Sequence, residues 1–300
     1  MLEKDKVSLA EQEFLQSYNA NDFIHPSVAT DMVIFTIMDS PEQNYRKLPE
    51  KGLRVLLIKR GKHPFLGQLA LPGGFVRPGE TVGMAAKREL QEETGLDNVY
   101  LEQLYTFSQP NRDPRTWVIS SAHMALVNSQ NLQLDAGDDA DQAEWFRLSG
   151  NVISEKRETN PAGCTINRQY QLELTGNNES FTCIVEHKMT HHTSSAYDEY
   201  TILENNGLAF DHAKILSCAL ERLRSKLGYT GIALHLMPLR FTLTELQQVY
   251  EVILGKPLLA AAFRRKLAPL VRGTNEYTTN AGHRPSQLFE RNWDGIAERT

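Results

Sequence analysis

Glu89, Glu92 and Glu93 stand at positions i, i+3 and i+4 of a stretch with helical spacing, Thr81 to Thr94. Folded as a helix, that stretch stacks its three carboxylates on one face. Like charges at this spacing destabilise a helix by roughly 0.2–0.5 kcal/mol per pair, so local stability does not account for them. One or more hard divalent cations remove the conflict, because Mg²⁺ prefers oxygen ligands and usually keeps several waters. The residues ahead of the helix read Leu-Pro-Gly-Gly-Phe, 71–75. Gly73 and Gly74 lack a Cβ, so backbone atoms there can approach a ligand closely and a carbonyl can complete the coordination. Mg²⁺ at such a site would bridge diphosphate oxygens and lower the pKa of a bound water. A glutamate not fully engaged by metal could accept that water's proton. Arg88 adjoins Glu89, and its expected role is to orient carboxylates, Glu80 among them.

The full pattern is Gly74, then Glu80, then Arg88-Glu89-Leu90, Glu92-Glu93 and Gly95-Leu96 at fixed spacing. It is identified as a Nudix box, and residues 30–148 together with 208–227 resemble a Nudix domain. The resemblance implies an α+β fold, a mixed sheet sandwiched between helices as an α/β/α unit. It implies Glu89, Glu92 and Glu93 as metal ligands with the Gly73 or Gly74 carbonyl assisting, Mg²⁺ as cofactor with Mn²⁺ as a substitute, and Arg88 in the catalytic set. Gly74 and Glu80 are expected beside the substrate, which the resemblance makes a nucleoside diphosphate linked to another group.

A chain of 300 residues suits two domains. Hydrophobic content of 41 % and charged content of 23 % are ordinary for a globular protein. No apolar run approaches the roughly 20 residues needed to cross a bilayer. Met1 to Leu9 mixes charges of both signs and does not read as a secretory signal. Cys164, Cys183 and Cys218 are widely spaced, with no Cys-x-x-Cys pair, which fits reduced residues in a cytoplasmic protein. Residues 1–227 carry 23 Lys+Arg against 31 Asp+Glu, whereas 228–300 carry 9 against 6, so a basic tail follows an acidic front.

Along the chain, 1–29 is expected as an N-terminal extension with an amphipathic helix over 8–20. A domain over 30–227 follows, with strands at Asp31–Asp39, Leu53–Arg60, Val99–Phe107, Trp117–Val127 and Ala143–Leu148. The polar stretch 150–206 reads as a β-hairpin insertion turning at 176–178. Its histidines, His187, His191 and His192, are expected to be exposed rather than to bind metal. Phe210–Leu227 is a strong helix. The remainder, 228–300, shows a capping box at Thr242-Leu-Thr-Glu245, a stop at Gly255, Pro257 suited to the first turn of a second helix, and short strand-like pieces. Helix, turn, helix and hairpin make a winged helix-turn-helix.

Substrate class is read from Ser108–Leu126, where Arg112 and Arg115 flank Asp113-Pro114 ahead of a strand. Forked guanidinium groups suit phosphate or ribose-phosphate. A plain Asp113–Arg loop bridge suits the same residues. Phe75, Phe107 and Trp117 are large enough to stack on a base, though core positions are expected. The segment resembles ADP-ribose-type Nudix proteins, including the Nudix-related regulators of NAD metabolism, in which a winged helix follows. That resemblance assigns Arg264, Arg265 and Lys266 to a recognition helix and Arg284 to the wing, facing double-stranded DNA, and makes a homodimer the expected state. Ala260 and Ala262, ahead of Phe263, cannot read base edges by hydrogen bonds. The leading expectation is a Mg²⁺-dependent hydrolase that cleaves ADP-ribose or a related nucleotide sugar to AMP and a sugar phosphate. The alternative is an ADP-ribose-sensing DNA-binding regulator, and one chain can do both.

Overall fold

The computed structural model describes residues 9–39, 49–132, 143–278 and 285–297. A short helix, α1 (Leu9–Ser17), leads to a mixed sheet built from β1 (Ser27–Asp39), β2 (Lys51–Lys59), β3 (Leu69–Ala70), β4 (Gly73–Phe75), β5 (Tyr100–Phe107), β6 (Val118–Asn128) and β7 (Ala143–Asn160). It continues through β8 (Gly163–Thr175), β9 (Ser180–His192) and β10 (Ala196–Asn205). The strand order is β10-β9-β8-β7-β2-β1-β6-β5, with β3 on β2 and β4 on β1. β1 runs parallel to β6 and antiparallel to β2.

Alternation along β1 sends side chains to two cores, as a strand buried on both faces must. Met32 and Ile34 meet Ala86 and Leu90 of α2 (Val82–Thr94) in one cluster. Val33, Phe35 and Ile37 point the other way and join Ile215, Leu216, Ala219, Leu220 and Leu223 of α3 (His212–Lys226). The result is the expected α/β/α sandwich.

The insertion is larger than a hairpin. β7 runs unbroken from Ala143 to Asn160, and β8, β9 and β10 follow as an antiparallel meander on the same sheet. The expected turn at 176–178 does join β8 to β9. β10 is the strand that local sequence hides: as the last in the order it pairs on one side only, and its mostly exposed residues include Asp198, Glu199 and Glu204.

The C-terminal part is a winged helix. After a 3₁₀ turn at Ile232–Leu236 come α4 (Leu243–Leu254), α5 (Ala260–Leu267), the hairpin β11 (Val271–Tyr277) and β12 (Gln287–Arg291), and a short α6 (Trp293–Ala297). The capping box closes, with the Glu245 amide donating to Thr242 Oγ1 at 3.2 Å and the Thr242 amide donating to Glu245 Oε2 at 2.7 Å. Gly255 ends α4 at φ 68°, a left-handed position that glycine adopts without strain. α5 starts later than expected, beyond Pro257, with Leu259 at its N-cap. Phe241, Leu246, Val249, Ile253 and Phe263 belong to the same cluster as the sheet and α3, so the two parts share one core. Among the described residues no helix is long and apolar enough to cross a membrane.

Leu223 is fully buried where sheet, α3 and winged helix meet. Leu223→Ala is expected to lower stability by about 2–5 kcal/mol in urea denaturation. Sheet and winged helix should unfold in one transition. A second, unshifted transition would mean that their cores are separate.

Candidate metal and diphosphate site

α2 is set at both ends by its own sequence. Thr81 accepts the Met84 amide at 3.2 Å, and Gly95, at φ 70°, returns its N–H to the Gln91 carbonyl. Between them Glu89 is buried, Glu93 is half-buried and Glu92 is exposed. The Glu89 carboxylate lies so close to Gly74 that a Cβ there would overlap it, and a Cβ on Gly73 would meet the backbone of Thr30 and Asp31. Both glycines are therefore required by close approach. β4 pairs with β1 through Asp31↔Gly73 and Thr30↔Gly74, which fixes the glycine loop against the helix.

Arg88 ties the acidic groups together. Its Nη1 donates to Glu89 Oε1 at 2.5 Å and to Glu92 Oε2 at 3.2 Å, Nε donates to Glu80 Oε1 at 2.8 Å, and Nη2 donates to the Phe75 carbonyl at 3.3 Å. Glu80 also accepts the Arg77 amide at 2.9 Å. These bonds, the one from Arg88 foremost, hold the Glu80 carboxyl down at about 2. The bonds from Arg88 to Glu80 and Glu89 in turn push its guanidinium up. Among the described residues, no three His, Cys, Asp or Glu side chains already converge as a metal cluster. The donor set suits a hard cation nonetheless: oxygens only, on one stripe of α2 beside a loop that brings backbone within reach.

The Arg112–Arg115 segment splits. Arg112 turns inward, only 5 % exposed, and donates to Asp211 Oδ1 at 2.6 Å, Asp211 Oδ2 at 3.1 Å and Asp31 Oδ2 at 3.1 Å. Ser120 donates to Asp31 at 2.6 Å, and the Leu71 amide donates to His212 Nδ1 at 2.9 Å. Because His212 Nδ1 accepts, its proton sits on Nε2, 3.5 Å from Asp31 Oδ1. Burial pushes the Asp31 carboxyl up, but His212, Arg112 and Ser120 outweigh it and hold it far below the usual range. This buried hub, which the sequence reading missed, joins the loop ahead of Gly73 to the start of α3.

Arg115 faces outward. It makes the loop bridge to Asp113, Nη2 to Oδ2 at 2.7 Å, and lies over the rings of Phe75 at 5.6 Å and Phe210 at 5.8 Å. Arg60 covers Phe210 at 4.7 Å, and Phe65 meets Phe210 edge-on at 4.7 Å. Phe65 and Phe210 sit at φ 61° and 53°. Such left-handed conformations cost bulky residues on the order of 1–3 kcal/mol and cluster at functional sites. A cleft of about 500 Å³ opens beside them, lined by Phe65, Gln68, Asn206 and Phe210. Phe107 is core as expected. Phe75 and Trp117 are not, at 43 % and 46 % exposed: one lies on a two-sided loop strand, the other just ahead of β6.

In the winged helix, Arg264 and Arg265 are exposed on α5. Lys266 is instead spent on the Leu227 carbonyl at the end of α3, at 3.1 Å. Arg284 lies outside the described residues. His187 departs from expectation: it is buried and bonded to Glu221 of α3 at 2.9 Å, because β9 packs that face against the helix, while His191 and His192 are exposed.

An acidic helix laid against a glycine loop, on a mixed sheet with helices on both faces and a winged helix behind it, defines a Nudix hydrolase domain joined to a DNA-binding fold. Residues 47–163 match the NUDIX domain and 233–290 match the NrtR DNA-binding winged helix domain. The chain is 31 % identical over 285 residues to the ADPR responsive transcriptional repressor NtrR of Acinetobacter baylyi, covering 93 % of this chain and 88 % of the relative. It is 44 % identical over 127 residues to the ADP-ribose pyrophosphatase of Methanocaldococcus jannaschii, covering 42 % of this chain and 65 % of that protein. Shewanella oneidensis NrtR, in its complex with a 27mer DNA, is similar in structure with a TM-score of 0.58 at 27 % identity, over 90 % of this chain and 95 % of that one. The chain belongs to the NrtR family of Nudix proteins with a C-terminal winged helix.

The depressed Glu80 carboxyl has a consequence in solution. A carboxylate with a lowered folded pKa favours the folded state above its unfolded pKa and loses that contribution as pH falls through the folded one. Glu80 should therefore titrate near 2 by side-chain NMR. A midpoint in the ordinary glutamate range would mean that Arg88 does not hold it.

Proposed function

We propose that this protein hydrolyses the diphosphate of ADP-ribose, or of a related nucleotide sugar, to AMP and a sugar phosphate. Glu89, Glu92, Glu93 and the Gly73 carbonyl would hold Mg²⁺ or Mn²⁺. The observation that carries this reading is the Glu89 carboxylate seated on Gly74, with Arg88 spanning Glu80, Glu89 and Glu92. A divalent cation bound there supplies charge neutralisation at the diphosphate and an activated water.

The chain's own residues supply the rest. Arg88 keeps Glu80 ionised and aims Glu89 at the glycine loop, where that carboxylate would hold the cation. Glu93 is half-buried on the same stripe, and a glutamate there that the cation does not fully engage would accept the water's proton. Arg115, oriented by Asp113 and held between Phe75 and Phe210, offers a cation and flanking aromatic faces for a nucleotide. Arg112 acts indirectly, since its guanidinium is committed to Asp31 and Asp211. The ADP-ribose pyrophosphatase relative supports the choice of substrate.

A second reading is favoured by the winged helix and by similarity to a DNA-bound relative: the domain over 228–300 binds double-stranded DNA and the domain over 30–227 senses ADP-ribose. Arg264 and Arg265 are its candidate contacts on α5, with Arg284 in the wing. Exposed Phe14, Leu15, Tyr18 and Phe23 near the N-terminus support a homodimer, and three free cysteines suit the cytoplasm.

Glu93→Gln should reduce AMP release from ADP-ribose with Mg²⁺ by on the order of 10²-fold or more while circular dichroism is unchanged. Near-normal turnover would remove Glu93 from the metal site. Arg265→Ala should weaken binding to any DNA the protein retains and lower the salt dependence of that binding by about one ion. Identical affinity in wild type and variant would exclude Arg265 from the interface.

A further inference from the structure

Where α3 and α4 end against α5 they leave a cleft of about 240 Å³. Its floor is apolar: Leu227, just past the end of α3, and the rings of Tyr250 and Phe263, which meet edge to face at 5.2 Å. All three are buried. The turn from α4 to α5 forms one wall and is fixed in place. The Leu258 amide donates to Glu251 Oε1 at 2.8 Å, and Gln247 Nε2 donates to the Leu258 carbonyl at 3.0 Å. α5 itself is anchored in the shared core by Phe263 and Leu267. The cleft is therefore preformed, as small-molecule sites usually are. It shares no lining residue with the cleft beside Phe210.

Two cations and no acidic residue line this cleft. Arg224, half-buried on α3, donates through Nε to the Ile253 carbonyl of α4 at 2.7 Å and through Nη2 to the Gly150 carbonyl of β7 at 2.7 Å. Lys266 of α5 donates to the Leu227 carbonyl at 3.1 Å. Among the described residues neither cation meets a carboxylate. Arg88 and Arg112, by contrast, each bridge two or more. Burial pulls the Arg224 guanidinium down, and Tyr170 and Glu221 offset this only in part. The carbonyls do not balance the two charges. A helix C-terminus carries roughly half a negative charge, so two cations over the ends of α3 and α4 leave a surplus of about one positive charge.

We propose that this cleft is a second ligand site, which takes a small monocarboxylate with an apolar body. The body lies on Tyr250 and Phe263, and the carboxylate is met by Arg224 and Lys266. Charge sets the single acid group, since one carboxylate cancels the surplus. Size sets the body. The cleft is smaller than the roughly 300–1,000 Å³ of pockets for drug-sized ligands and larger than the roughly 150 Å³ that holds benzene. Two fused rings or a short alkyl chain fit between those limits. A nucleotide, with its sugars and several charges, does not. The assignment stands apart from the nucleotide reading above, because no residue serves both clefts.

The test is fluorescence titration of the full chain with 2-naphthoate, which carries two fused rings and one carboxylate. It should bind saturably, and added ADP-ribose should not displace it. Naphthalene-2-methanol, the same body without the charge, should bind at least about tenfold more weakly, the worth of one charge-assisted hydrogen bond. Ala262 lines the cleft and is exposed, so Ala262→Trp fills the space without removing core packing. That variant should lose saturable 2-naphthoate binding with circular dichroism unchanged. Lys266, also exposed, gives a second variant: Lys266→Met should weaken binding by about tenfold, and Lys266→Arg should restore it. No saturable binding, equal binding of the alcohol, or unchanged affinity in Lys266→Met overturns the anion site. Binding that persists in Ala262→Trp, or that ADP-ribose displaces, puts the ligand elsewhere and overturns the cleft.

Discussion

Three glutamates on one helical stripe impose a constraint that the rest of the domain is arranged to meet. At a separation of 4 Å, two like charges repel by about 1 kcal/mol in water and by about 4 kcal/mol at the effective dielectric near a protein surface. Arg88 answers this within the protein by bridging Glu80, Glu89 and Glu92 with one guanidinium, whose planar fork can serve several carboxylates at once. Glu89, the most buried of the stripe, is further confined by Gly74, whose missing Cβ is what lets the carboxylate approach the loop. The position of α2 against β4, and with it the shape of the site, follows from that contact.

The loop is in turn anchored from the other side of the sheet. Asp31 on β1, Ser120 on β6, Arg112 on a loop and His212 on α3 meet in one buried polar hub. Removing one partner would leave a buried charge uncompensated, which is why such hubs are strongly destabilised by single deletions even when the intact set contributes little net stability. Its effect here is geometric. It brings the chain at Leu71 and the first turn of α3 to a common point, so the glycine loop and the helix beneath the sheet share a support.

How much of this the sequence discloses depends on how local the cause is. The caps of α2 and α4 are legible because Thr81, Gly95, Thr242, Glu245 and Gly255 act within a turn of themselves. The Glu89–Glu92–Glu93 stripe is legible because helical periodicity alone puts it on one face. Arg112 is not. Whether it faces solvent or core depends on Asp31 and Asp211, which are 81 and 99 residues away in sequence. His187 is turned inward by Glu221 of α3, 34 residues downstream, and nothing within its own strand announces that. β10 escapes for a different reason: a charged edge strand lacks the apolar alternation by which strands are recognised. The cation–aromatic stack of Phe75, Arg115, Phe210 and Arg60 draws on separate loops and has no sequence signature at all.

Hydrolysis and sensing make compatible demands on this arrangement. Both need a nucleotide held against a fixed loop, which on the proposed reading the Gly74–Glu89 contact and the Arg115 stack would supply. They diverge at the far end of α3. An enzyme needs nothing from the winged helix, whereas a sensor needs the ligand's binding energy to favour one placement of α5 over another, since a ligand with equal affinity for two states shifts neither. A winged helix joined to the Nudix domain only by a flexible linker would satisfy the enzyme alone. Here both helices enter the Nudix core, α4 through Leu246, Val249 and Ile253 and α5 through Phe263 and Leu267. A shared core of this kind is what a chain requires if occupancy of its diphosphate site is to be read by its winged helix.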